Sequence, residues 1–205
     1  MALDGTYAGL QASITSWLHR SDMAATIPDL VVLTEARIAR DLRLRRQITN
    51  ANLSTVSGVQ AVPLPTDFLE MENVAVTSSG VQRNLEYVNI ERMNVNYPEG
   101  GPTGVPGVFT FEGSSILFGP TPDGVYVMPI YYYARNSPLS VTPTNWLLTN
   151  HPNIYLFGAL AEAGDYARNS SIGTWEQKYK AGVSDLQEAD DQSMFSGSAL
   201  RVRSV

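Results

Sequence analysis

The chain has no cysteine among its 205 residues and only two histidines, His19 and His151. Without cysteine there is no disulfide, no thiolate zinc site and no cysteine nucleophile, a usage consistent with a reducing compartment. His19 ends a helical pattern, where a cation suits the dipole and the last carbonyls. His151 falls in the first turn of another helix. Neither belongs to an HxH or HExxH spacing or to a His–carboxylate pair, so no metal or catalytic role is expected of them. The patterns GxSxG, GxxxxGK(S/T) and GxGxxG are also missing. No cofactor is expected.

Charge is sparse as well. Charged residues make up 17% of the chain, the net charge is −6 and the isoelectric point is near 4.9. A free-standing DNA-binding domain is ordinarily basic. This balance does not favour adhesion to DNA. Low charge also leaves uncharged surface for burial against other subunits. No apolar run approaches the roughly 18–20 residues of a membrane span, so no membrane partner is expected. The opening MALDGTYAGLQ carries neither the basic nor the apolar region of a signal peptide.

What is present is a helix–strand–helix order. In residues 1–49, Leu3, Tyr7, Leu10, Ile14 and Trp17 space as one helical stripe. After a break at His19–Ala25, Thr26 and Asp29 suggest a capping box, with Pro28 in the first turn. Ile27, Val31, Ile38 and Leu42 form the second stripe. Arg37, Arg40, Arg43 and Arg46 fall opposite it at about 100° per residue. From Asn50 to Val141, short alternating runs are separated by turn signals such as Ser79-Gly80 and Pro122-Asp123-Gly124. Strands are expected at Leu53–Val62, Phe68–Thr77, Val81–Val88, Val108–Phe111, Ile116–Phe118 and Val125–Ala134, and a short helix at Asn89–Val95. Pro98–Gly107 contains Pro98, Gly100, Gly101, Pro102, Gly104 and Pro106. It reads as an unpacked, mobile loop. Helices return with Asn150 as the expected N-cap, Pro152 in the first turn and Ile154, Leu156, Phe157, Leu160 and Ala161 as the apolar face. Ile172, Trp175, Tyr179, Val183 and Leu186 continue the pattern to about Asp191.

The expected fold class is α+β. Residues 1–49 and 142–192 form a helical bundle from both chain ends, 50–141 an inserted small antiparallel β barrel or sandwich, and 193–205 an extended tail. Within that tail, Leu200, Arg201, Val202 and Arg203 alternate apolar and basic, as suits a strip laid against another protein.

Chemistry-bearing clusters are few. Glu70 and Glu72 share a strand face and Asp190–Asp191 end a helix, so a hydrolase built on dispersed carboxylates is a weak alternative. Tyr131 and Tyr133 share one strand face and Tyr132 takes the other. They read as packing, or as a platform for host-surface glycans. The arginine cluster suits bidentate ion pairing across an interface or phosphate contact.

Three ordered stretches carry a resemblance: LPTDFLEMENVAVT, then PTNWLLTNHPNIYLFGALAEA, then TWEQKYKAGVSDLQEAD, with NLEYVNIERM and GSSILFGPTPDGVYVMPIYYYA between the first two. From roughly Leu64 to Asp191 the chain resembles the adaptor, or head-to-tail connector, proteins of tailed bacteriophages, which include the tail tubular protein A of short-tailed phages. The resemblance implies a structural virion protein and not an enzyme, made in the host cytoplasm and placed in the neck. It implies a dodecameric ring that docks on the portal protein, presents a surface to the tail nozzle protein and lines the exit channel for genomic DNA. It makes Arg37, Arg40, Arg43, Arg46 and the Leu200–Arg203 strip candidates for the subunit or portal interface. The Pro98–Pro106 segment becomes a candidate nozzle contact.

Overall fold

The computed structural model describes residues 3–167 and 171–195. The chain divides into two compact units. One comprises residues up to Leu44 together with those from Asn136 onward, and the other is Arg45–Arg135. Among the described residues six α-helices form: α1 (Tyr7–Leu18), α2 (Ile27–Asp41), α3 (Ile90–Asn96), α4 (Trp146–Asn150), α5 (Pro152–Ala167) and α6 (Ile172–Phe195).

In the first unit, α1 is capped by Thr6, whose hydroxyl accepts from the Gly9 N–H at 3.1 Å. It ends at His19, which adopts a left-handed φ of 52°. Leu10, Ile14 and Leu18 are buried. Leu3 precedes the helix and is exposed, and Trp17 is exposed because the helix repeat carries the buried face to Leu18. Trp17 sits at the rim, its ring edge-on to Phe157 with centroids 5.7 Å apart. The start of α2 departs from the expected capping box. Thr26 is already helical (φ −89°, ψ −21°) and makes no side-chain cap. A 3-10 turn at Ser21–Met23 precedes it, and its N–H donates to the Met23 carbonyl at 2.9 Å. Ile27, Leu30, Val31, Ile38 and Leu42 are buried.

The expected Asn150 cap is also displaced. Asn145 caps α4, accepting from the Leu148 N–H at 2.8 Å, while the Asn150 amide donates back to the Trp146 carbonyl. The chain then turns at His151, and α5 starts at Pro152, where the missing N–H costs nothing. Helix α5 packs against α1, α2, α4 and α6. Ile38 of α2 and Tyr179 of α6 belong to one buried cluster with Ile154, Tyr155 and Leu160 of α5.

The second unit holds ten strands: β1 (Ile48–Ser54), β2 (Ala61–Pro63), β3 (Phe68–Ser78), β4 (Val81–Asn84), β5 (Glu86–Tyr87), β6 (Thr103–Gly104), β7 (Val108–Glu112), β8 (Ser115–Gly119), β9 (Thr121–Pro122) and β10 (Val127–Ala134). They form sheets in the orders β1-β10-β3-β4 and β2-β8-β7-β5, plus the pair β6-β9. All neighbours are antiparallel except β5-β7 and β6-β9. Val74, Val76, Met128, Ile130 and Tyr132 of the first sheet share a core with Val62, Phe109, Ile116 and Phe118 of the second. This is a sandwich, and the fold is α+β with antiparallel sheets.

The expected Leu53–Val62 strand is two strands in different sheets. The crossing at Thr55–Gly58 is held by the Thr55 hydroxyl donating to the Gly124 carbonyl at 2.9 Å and by the Gly58 N–H donating to the Pro122 carbonyl at 2.8 Å. Gly58, at φ +77°, supplies the turn conformation.

One glycine decides how closely the helices of the first unit approach. A Cβ at Gly158 of α5 would lie 2.6 Å from Thr34 Cγ2 of α2 and 3.2 Å from the Tyr179 ring of α6. Gly158→Val is expected to lower stability by about 1–3 kcal/mol through overpacking, read as a lower urea midpoint at unchanged m-value.

Candidate assembly surfaces

The four arginines do not share one helix face. Arg37 points into the helical unit, where its side chain is 14% exposed. Its Nη2 donates to Glu176 of α6, its Nη1 lies 3.4 Å from Glu162 of α5, and its Nε lies 3.6 Å from Asp41 one turn on. The guanidinium sits over the Tyr179 ring, 4.1 Å from the centroid. The Tyr179 hydroxyl donates to Asp41 at 3.2 Å, and Gln187 donates to the Asp41 carbonyl at 3.1 Å. One side chain thus ties three helices together. Arg40 faces outward, 72% exposed, with its Nε on Asp41 at 3.0 Å. Arg43 Nη1 donates to the carbonyls of Ala39 and Leu42 at 2.6 and 2.8 Å, closing the end of α2. Arg46 is exposed in a 3-10 turn, Arg45–Gln47, of the sandwich unit. The expected common face fails because α2 stops at Asp41 and Leu42 is extended. The 100° spacing does not run on to Arg43 and Arg46.

Electrostatics follow the geometry. Burial is the largest single influence on Arg37 and disfavours its charge, but the hydrogen bond to Glu176 and the nearby charges of Glu176 and Glu162, with Tyr179, together outweigh it and hold the guanidinium charged. Glu176 is lowered below the usual carboxylate value by the Arg37 hydrogen bond, with help from Lys180, 3.1 Å away. Burial raises Tyr179, with Asp41 adding to it. Glu35, also on α2, is raised by burial, although it accepts from the Leu139 N–H at 2.7 Å.

Pro98–Gly107 is seated in the sandwich unit, not loose. Gly101 N–H donates to the Pro98 carbonyl at 2.9 Å, and Gly100 has φ +75°. Thr103 and Gly104 pair with Thr121 and Pro122. Pro106 is buried, and the Gly107 N–H donates to the Gly119 carbonyl at 2.8 Å. Backbone bonding of this kind overrides the flexibility that its glycines suggest. Pro98, Gly100 and Pro102 remain exposed at its tip.

Tyr132 is buried, its hydroxyl donating to Asp67 at 3.0 Å, and burial raises it to about 12. Tyr131 is partly exposed on the first sheet, its Cα paired across to Asn50 and Asn73, with a register shift between it and Tyr132. Glu70 and Glu72 are exposed on β3. Among the described residues no group of three or more His, Asp or Glu is placed to hold a metal, and no helix is long and apolar enough to cross a membrane. Leu200, Arg201, Val202 and Arg203 lie outside the described residues; α6 itself runs to Phe195, past the expected end at Asp191.

Sequence reasoning missed the Arg37 partners. The Arg37–Asp41 and Glu176–Lys180 pairs sit at i,i+4 spacing and were available as a signal. Nothing local points to Glu162.

Arg37→Glu is expected to destabilise the helical unit by about 2 kcal/mol, a partly buried network losing its cation and gaining a like charge. Arg40→Glu is expected to stay within about 0.5 kcal/mol of wild type. Both are measured by urea denaturation at neutral pH. The Glu176 contribution has a defined pH sense. Its folded pKa lies below the ordinary 4.5, so its stabilisation is present above that value and is lost as pH falls through the lower folded one. Glu35 has the opposite sign: its raised pKa costs stability once pH rises through 4.5. Glu176→Gln is therefore expected to converge on wild-type stability in acid, and Glu35→Gln to gain on wild type above that range.

No curated protein matches the chain. Residues 5–203 match the family model described as SU10 adaptor protein. The match covers the helices of both ends, the sandwich unit between them and all but the first and last few residues. The chain belongs to the SU10 adaptor protein family, a structural family of phage head-to-tail adaptors and hence of virion components.

Proposed function

We propose that the chain is one subunit of a ring, dodecameric in the virion, that sits between the portal and the tail nozzle and lines the DNA exit channel. The family match over residues 5–203 carries this reading. The mechanism is assembly energetics. Each interface removes apolar area from water, and ring closure makes the contacts mutually supporting. No reaction and no cofactor enter it. The net charge of −6 suits passage of genomic DNA without adhesion.

The outer face of α2 supports a protein partner. Val32 and Leu33 are 55% and 52% exposed, and Arg40 stands two turns further along the same helix. Neighbouring exposed aliphatics with an arginine at the margin are the composition of an interface core and rim. We assign this face, with Arg40, to the subunit or portal contact. The exposed tip of Pro98–Pro102 is the proposed nozzle contact.

Purified chain mixed with its cognate portal is expected to give particles with one adaptor per portal subunit in electron micrographs. Portal rings that stay bare at saturating chain would overturn the reading. Val32→Asp with Leu33→Asp is expected to leave the thermal midpoint of the free chain nearly unchanged, because both residues face solvent, and to abolish the decorated rings.

A further inference from the structure

The sandwich unit carries a groove of about 590 Å³ beside the tip proposed above as the nozzle contact. Its floor includes Ala61 of β2, Leu117 of β8 and Thr121 of β9, and one wall is the Glu99–Thr103 segment. Two carboxylates, Glu99 and Glu112, line it and no basic residue does. Neither carboxylate has an ion-pair partner among the described residues. Two uncompensated anions at a groove favour a cationic occupant.

The groove also borders an open strand edge. Among the described residues β2 has one strand neighbour, β8. The Gln60 carbonyl accepts from the Phe118 N–H, and the Leu64 N–H donates to the Ser114 carbonyl, each at 3.0 Å and each toward β8. The alternation of an antiparallel ladder therefore turns the backbone of Ala61 to the free edge. An extended segment laid there finds main-chain partners as well as charge, the arrangement of strand addition.

One segment of the chain has matching chemistry. Leu200-Arg201-Val202-Arg203 alternates apolar and cationic residues, so an extended strip presents both arginines on one side and both aliphatics on the other. Two arginines meet two glutamates. A strip and a groove are different surfaces of one chain, and a ring closes through such heterologous contacts.

We propose that the groove lined by Glu99 and Glu112 receives the 200–203 strip of a neighbouring copy, with Arg201 and Arg203 paired to the two carboxylates. This rests on the ring reading, yet its test needs no portal.

A labelled peptide of residues 196–205 is titrated into full-length chain carrying Arg201→Glu and Arg203→Glu, so that the chain's own strip does not compete. Saturable binding is expected, weakening as salt rises from about 0.05 to 0.5 M. Adding Glu99→Arg and Glu112→Arg to the chain is expected to lower the affinity by about tenfold or more and to transfer binding to the charge-reversed peptide. Both glutamates are exposed. If the arginine variant unfolds, Glu99→Gln with Glu112→Gln replaces it. The neighbouring-copy assignment is read by sedimentation velocity. Chain with a reversed strip, mixed with chain with a reversed groove, is expected to form mixed dimers and larger alternating oligomers, while each alone stays monomeric. Equal peptide affinity for both grooves overturns the site, and so does a peptide that binds purified portal but not the chain. Mixed chains that stay monomeric overturn the donor.

Discussion

Burial of α5 is the constraint on which the helical unit depends. Ile154, Tyr155, Leu156, Ala159, Leu160, Ala161 and Ala163 are all buried, a coverage too wide for any single partner helix. Helices from before the sandwich, α1 and α2, and helices from after it, α4 and α6, supply the cover. Each fully buried Leu or Ile contributes about 1.5–3 kcal/mol. Three of them on α5 thus match much of the 5–15 kcal/mol that holds a typical domain folded. Neither chain end can remain apart without exposing that helix. Gly158 sets how close the covering helices come.

Polar groups then fix which helix goes where. Apolar stripes tolerate sliding, whereas a guanidinium with three carboxylate neighbours and a ring beneath it accepts one arrangement. Arg37 acts within the subunit, and it is the outward Arg40 and the exposed Val32–Leu33 face that we propose for the contact with a partner.

The sandwich unit solves a different problem. Most of its strands are short, and segments between them are tied down by backbone bonds at Thr55–Gly58 and at Pro98–Gly107. Seating the second segment against β9 creates the walled groove beside β2. The same bonds that remove loop freedom therefore shape the groove proposed to take an extended strip.

The sequence by itself determined what depends on neighbours within a turn or a strand. The stripe Ile172, Trp175, Tyr179, Val183 made α6 legible, the Phe68–Thr77 alternation made β3 legible, and the short helix expected at Asn89–Val95 is α3. Tyr132 and Tyr131 followed the two-residue period to opposite sides. Tertiary structure decided the rest. Thr26 and Asn150 have cap chemistry, but the path of the incoming chain handed one cap to no side chain and the other to Asn145. Arg37 has the periodicity of an outward residue, yet its partners Glu162 and Glu176 stand 125 and 139 positions away. The groove likewise joins Gln60 and Glu99 from two connecting segments and Glu112 from a strand. Helical and strand periods are set by backbone geometry and can be read from a few residues. The partner of a charge is set by which distant surface packing brings within about 4 Å, and no local spacing encodes that.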